Sequence, residues 1–336
     1  MSQPKQAAQP APQAGVNFDL TVGHVGETQA VSWNRRDIVL YALGIGSKET
    51  ELDYVYEQSL NFRPFPTYPL VLGFKGEGSD TNVFAEMIAS RGGTPGFPNL
   101  DPNTLVHGEQ SIVIHEPIPA VSTPGWKLQK RTVGVHDKPS GLILEGETVL
   151  ISPTGRKHAT MTGASFYRGG SQGTGYSKSI GQKLPVTKPP SKPADFELQE
   201  VTTSTQAALY RLSGDYNPLH IDPSIGKKGG LPGAILHGLC SYGHAARAIL
   251  RSVSPLEGQA ASTDIVELKA MSARFTSPVM PGDTLKTKVW IIGKDQEEED
   301  GKIKIAFEQE IVGGKKSLGG GYAEVIKVAR TKQAKL

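Results

Sequence analysis

Apolar positions along the chain change period several times, and each change marks an element. From Leu236 to Val253 the residues Leu239, Ala246, Ile249, Leu250 and Val253 recur at helical spacing, which predicts the longest helix of the chain. After it the apolar residues alternate as strands do, over Leu268–Phe275, Thr284–Gly293, Lys302–Val312 and Ser317–Val328. The first half carries a matching set, over 105–115, Trp126–Val135, Leu142–Ile151 and His158–Tyr167. A shorter helix is expected through Asp37, Ile38, Val39, Tyr41 and Leu43, capped by Ser32 or Asn34 and stopped at Gly44-Ile45-Gly46. Phe84 to Ala89 reads as another short helix, and 91–103 as a loop. Residues 62–74 hold too many prolines for one regular element.

Two stretches break the pattern. The first residues, rich in Gln, Ala and Pro, read as a disordered tail over 1–16. Residues 168–198 run from Gly169-Gly170-Ser171-Gln172-Gly173-Thr174-Gly175 to Lys188-Pro189-Pro190-Ser191-Lys192-Pro193 and have linker composition. No Lys-Ser/Thr ending comes after those glycines, which excludes a phosphate loop. The linker divides the chain into 17–167 and 199–330, with a tail over 331–336. The halves echo each other: Leu40-Tyr41-Ala42-Leu43-Gly44-Ile45-Gly46 aligns with Leu209-Tyr210-Arg211-Leu212-Ser213-Gly214-Asp215.

Composition narrows the class. Gly 39 and Pro 24 in 336 residues favour turns and short strands over a helical bundle. A net charge of +3, with both signs interspersed, does not suggest nucleic-acid binding. No apolar run is long enough to span a membrane as a helix. One cysteine, Cys240, excludes an internal disulfide and reads as buried packing. The acidic run Glu297-Glu298-Glu299-Asp300 reads as a solvated turn, and no His/Cys/carboxylate spacing carries a metal signature.

The chemistry concentrates at Tyr210-Arg211-Leu212-Ser213-Gly214-Asp215-Tyr216-Asn217-Pro218-Leu219-His220-Ile221-Asp222, with an echo at Leu236-His237-Gly238-Leu239-Cys240. An apolar approach through Ala207, Ala208, Leu209 and Leu212 ends at Ser213-Gly214, and Pro218 breaks the short segment beyond. Asp215 and His220, beside Asn217, suit acid/base work on one water. An isolated Asp-x-Asn-x-x-His also fits a capped helix end with an exposed His; the full run with its echo is far more specific.

That run resembles the hydratase 2 motif of the MaoC-like (3R)-specific 2-enoyl-CoA hydratases, nearest to the hydratase part of the type 2 peroxisomal multifunctional enzymes. The resemblance covers roughly 17–330 and is strongest from Gln206 to Val279. It implies an α+β tandem (double) hot-dog fold, each copy an antiparallel sheet wrapped around a helix, with a catalytic second copy. The implied catalytic residues are Asp215, His220, the supporting Asn217, and Gly238, whose N–H would serve the thioester oxygen. Gly233-Ala234 departs from the family's usual basic residue and Pro. Tyr210, Arg211, His237, His107 and Gly108 are expected around the substrate, Tyr210 and Arg211 as packing and positioning groups.

In the first copy Gly46, Lys48 and Glu51 stand where the second has Asp215, Asn217 and His220. It is therefore expected to be non-catalytic and to bind the acyl chain, with Phe62, Phe65, Tyr68, Leu70, Val71, Leu72 and Phe74 lining a tunnel. The resemblance implies reversible hydration of trans-2-enoyl-CoA without a metal or redox cofactor, coenzyme A being part of the substrate. It also implies a homodimer. Ala334-Lys335-Leu336 resembles the Ser-Lys-Leu peroxisomal address, so an import receptor and a peroxisomal matrix location are expected. A hot-dog thioesterase, a hydratase for a specialised acyl-CoA, and a non-catalytic acyl-CoA binding protein are the alternatives.

Overall fold

The alternating stretches pair into a single antiparallel sheet. The computed structural model describes residues 13–89, 92–254, 264–294 and 301–330. Its strands are β1 (Val25–Ala30), β2 (Leu105–Ile114), β3 (Lys127–Lys138), β4 (Gly141–Ile151), β5 (Lys157–Arg168), β6 (Ser177–Ser179), β7 (Phe196–Val201), β8 (Asp264–Phe275), β9 (Thr284–Lys294), β10 (Ile303–Ile311) and β11 (Lys316–Ala329). Their order is β1-β3-β4-β5-β2-β8-β11-β10-β9-β7, with β6 on β3. The seam between the halves is β2 against β8, in register from Glu109 opposite Arg274 to Val113 opposite Ala270. On either side of it the strand order repeats, which is the internal symmetry expected of a double hot-dog.

The helices are α1 (Phe18–Thr21), α2 (Arg35–Gly44), α3 (Leu52–Val55), α4 (Leu72–Lys75), α5 (Phe84–Ala89), α6 (Gln206–Tyr210), α7 (Pro223–Lys228) and α8 (Gly238–Val253). Asn34, not Ser32, caps α2: its side chain accepts from the Asp37 N–H, and the Asp37 carboxylate takes the Asn34 N–H. Helix α8 is wrapped by the second half's strands, and even polar Ser241, His244 and Arg247 on it are buried. Tyr242 ties it to the sheet by donating to the Met271 carbonyl at 2.7 Å.

The two copies differ inside. Where the second has α8, the first has only a 3-10 turn (Tyr68–Val71) running into α4. Pro64, Pro66 and Pro69 limit backbone hydrogen bonding there, so a long helix does not form. Phe65, Tyr68, Val71 and Leu72 are fully buried in the main core. The tunnel expected from 62–74 is therefore not lined by these side chains: they fill the first copy's centre in place of a helix.

Two segments read as unstructured contribute contacts. From Gln13 onward the tail is anchored: the Gln13 N–H donates to the Gln172 side chain at 2.8 Å, and Val16 packs on a small cluster around Phe18, Val135 and Leu142. The stretch 168–198 contains β6 and the start of β7, and crosses the sheet between them. Its Ile180 N–H donates to the Val133 carbonyl at 2.7 Å, its Lys183 reaches Glu145 at 2.6 Å, and its Pro185 carbonyl accepts from Ser272 beyond the seam. The acidic run 297–300 and the terminal Ala334-Lys335-Leu336 lie outside the described residues.

The halves interlock through a side chain and a missing one. Ile45 lies against Gly243 of α8, where an added Cβ would stand 2.4 Å from the Ile45 Cγ2. Only glycine allows that approach, and it brings the α2 end beside α8 and next to Tyr210.

Candidate active site

The polar groups of the second half converge where α6 ends. After α6 a 3-10 turn (Arg211–Ser213) closes at Gly214, whose φ of 127° and the Lys75 backbone N, 2.7 Å from where a Cβ would be, both require glycine. Asp215 is the next residue. Asn217 then caps the turn Pro218–His220, its side-chain oxygen accepting the Leu219 N–H at 3.0 Å. Asn217 thus holds the backbone that carries His220. Its own N–H donates to the Asp215 carboxylate at 3.3 Å.

His220 is buried, and its Nδ1–H donates to the Ile235 carbonyl at 2.8 Å. A carbonyl only accepts, so Nδ1 carries the proton and Nε2 presents a lone pair. Burial pushes the His220 pKa below its usual value, opposed by the Asp215 charge. His237, one residue before α8, lies face to face with His220 at 3.7 Å between ring centroids and 27° between planes. Its Nε2–H donates to the Asp215 carbonyl at 3.1 Å. Burial, then the His220 charge, hold His237 well below the ordinary range. Tyr210 packs on His237 at 4.8 Å, and burial raises its phenol pKa well above 10.0.

Ligand atoms of Asp215, His220 and His237 lie within 4.8 Å of one another, close enough to suggest a metal site. The stacking argues against one. Lone pairs in nearly parallel rings 3.7 Å apart do not converge on an ion that needs both within about 2.1 Å. The cluster suits protons better than a cation.

Gly238 opens α8, and its N–H is one of the first-turn donors that a helix leaves without an internal acceptor. A Cβ on Gly238 would stand 3.0 Å from the Phe275 ring. Across the seam His107 packs on the same ring at 4.7 Å, and burial lowers its pKa to about 4. His107 therefore joins the site through Phe275, a residue its sequence context marks only as the end of a strand. Gly108 lies apart: it lines a cleft of about 360 Å³ with Glu145, Lys183 and Arg274, which holds none of the converging groups. Arg211 places its guanidinium over the Tyr216 ring at 5.0 Å. Cys240 is buried, its Sγ–H donating to the Gly44 carbonyl, and burial raises its pKa, as befits a packing residue.

Fold and site together define an enzyme of the hydratase/dehydratase class built on a double hot-dog frame. Similarity to known proteins narrows the class. A family model described as MaoC like domain matches residues 185–311, and one described as MFE-2 hydratase 2 N-terminal domain matches 31–169. Enoyl-CoA hydratase 2, peroxisomal, of Arabidopsis thaliana is 31% identical over 326 residues, covering 92% of this chain and 95% of that protein. Peroxisomal multifunctional enzyme type 2 of Mus musculus is 32% identical over 292 residues, 85% of this chain. The match spans only 37% of the mouse protein's length. The solved MaoC-like dehydratase from Phytophthora capsici superposes with a TM-score of 0.76 at 34% identity, covering 92% of this chain and 97% of that one. The chain belongs to the MaoC-like hydratase/dehydratase family.

Proposed function

We propose that this chain hydrates trans-2-enoyl-CoA reversibly to (3R)-3-hydroxyacyl-CoA, as a step of peroxisomal fatty-acid oxidation. The observation that carries the proposal is the unprotonated Nε2 of His220, set near Asp215 and beside the helix terminus at Gly238. The thioester carbonyl withdraws electrons from C3, where water adds. Negative charge then develops on the carbonyl oxygen, and the Gly238 N–H at the positive end of α8 suits it. The Asp215–His220 pair takes one proton from the water and returns one to C2, so it ends as it began. Neutral His220 is the group suited to accept the proton. Asn217 keeps both in place through the turn it caps. The arrangement needs neither a redox group nor a metal.

Similarity to the peroxisomal enoyl-CoA hydratase 2 of Arabidopsis thaliana and the peroxisomal multifunctional enzyme type 2 of Mus musculus supports the substrate class and the compartment. The purified chain should consume the enoyl absorbance of crotonyl-CoA without releasing CoA thiol, and chiral chromatography should return the 3R alcohol. Thiol release would make it a thioesterase, and a 3S product would refute the stereochemical reading. A fluorescent protein fused before Met1 should give a punctate peroxisomal signal that becomes diffuse when Ala334-Lys335-Leu336 is removed; a signal that stays punctate would discard the tripeptide as the address.

A further inference from the structure

His237 is held more deliberately than a packing residue needs to be. Two chain segments meet at the site, one carrying Asp215 and His220, the other Ile235 and His237. Each sends an imidazole to the backbone of the other: His220 Nδ1–H to the Ile235 carbonyl at 2.8 Å, and His237 Nε2–H to the Asp215 carbonyl at 3.1 Å. The two rings then stack at 3.7 Å, and Tyr210 packs on His237 at 4.8 Å. The bonds cross between segments, so neither ring can turn without releasing the other segment's carbonyl. Among the described residues His237 Nδ1 is left buried and without a partner, although a buried imidazole nitrogen normally finds one. That cost is unexplained by packing alone.

We propose that His237 is a positioning residue for the hydration proposed above: its stack and its bond to the Asp215 carbonyl hold the Asp215 backbone and keep the His220 Nε2 lone pair available for water. The charged and titratable groups that act on the pair are Asp215 and Arg211, with Tyr210 packed on His237 from α6. The neutral His237 covers one face of His220 and keeps water from it. A second cation cannot form 3.7 Å away at comparable pH, since like charges at that distance repel strongly. His237 thereby fixes both where the proton acceptor stands and when it is free.

Two variants separate the stack from the hydrogen bond. His237→Phe keeps a ring against His220 and loses the bond to Asp215. His237→Gln keeps an N–H near the Nε2 position and loses the ring. For His237→Phe, kcat should fall about 100-fold, as displacement of a reacting group by about 1 Å does, while the pH profile keeps its shape. For His237→Gln, water reaches His220, whose NMR titration should move up, together with the acidic limb of kcat/KM. An unmoved His220 titration in His237→Gln, or wild-type kcat in His237→Phe, would overturn the proposal. If one variant fails to fold, as near-UV circular dichroism would show, the other decides. The NMR titration needs no turnover: a moved titration in a chain that hydrates nothing would refute the hydratase reading and leave the clasp standing.

Discussion

Three positions that align along the two copies of the hot-dog are used oppositely. In the second copy Asp215, Asn217 and His220 leave proton-accepting capacity open, at the His220 Nε2. In the first copy Gly46 has a φ of 86°, and a Cβ there would stand 2.5 Å from the His244 Cε1. Glu51, fully buried, takes two hydrogen bonds from Arg247 of α8, at 2.5 and 3.2 Å. Arg247 also bonds Glu200 of β7 at 2.6 Å, which in turn holds His244 at 3.2 Å, and Lys48 stands 4.0 Å from Glu200. The symmetry extends to the Gly238 position. Tyr41 packs on Tyr68 as Tyr210 packs on His237, at the same spacing along the chain. By that register Pro69 falls where Gly238 does, and proline has no N–H to offer. One copy leaves hydrogen-bonding capacity open, and the other turns it inward to join the halves.

The sharpest contrast is in activity. Asp215→Ala or His220→Ala should lower hydration by about 10²- to 10⁴-fold with the fold intact by circular dichroism, whereas Lys48→Ala should leave it within about twofold. Near-normal turnover in a folded Asp215 or His220 variant would remove the distinction between the copies.

Stability should show the reverse pattern. Arg247→Met leaves Glu51 and Glu200 buried without their cation and should cost about 3–5 kcal/mol in urea unfolding. Adding Glu51→Met should recover part of the loss. Unfolding midpoints equal to wild type would mean that the network does not tie the halves.

The interlock contributes less. Gly243→Ala should cost about 1–3 kcal/mol by driving a methyl into Ile45, and Ile45→Ala in the same chain should cost less than its own single variant predicts. Strict additivity would place the clash elsewhere.

Acid should weaken the same network. Burial favours neutral Glu200, but the His244 hydrogen bond and the Arg247 charge outweigh it and hold Glu200 at about 2, below the usual 4.5. A depressed carboxylate contributes stability that is complete above 4.5 and is lost as pH falls through that value toward about 2. Unfolding free energy should therefore decline over that window, and less steeply in Glu200→Gln. Identical slopes would separate Glu200 from the acid response.

Much of this was legible along the chain because its signals are local. The α8 face, the paired strands, the Asn34 cap site and the turn at Asn217-Pro218 follow from spacing and turn chemistry within a few residues. The Asp215–His220 pair is five residues apart on one bent segment, so sequence could place it. Only tertiary structure decided the rest. A lone Arg247 in a helix reads as a solvated side chain until Glu51, from the other copy, is folded onto it. The apolar run at 62–74 has the same composition whether it lines a tunnel or fills a core, and the sheet around it chose the core. His237 is expected around the substrate from its motif, but its stack on His220 is not legible, because its partners, Asp215 and the His220 ring, lie more than a dozen residues away. Hydrophobic period fixes which face is buried. Which groups meet across that buried space depends on strand register and on close approaches such as Gly243 to Ile45, which no local pattern encodes.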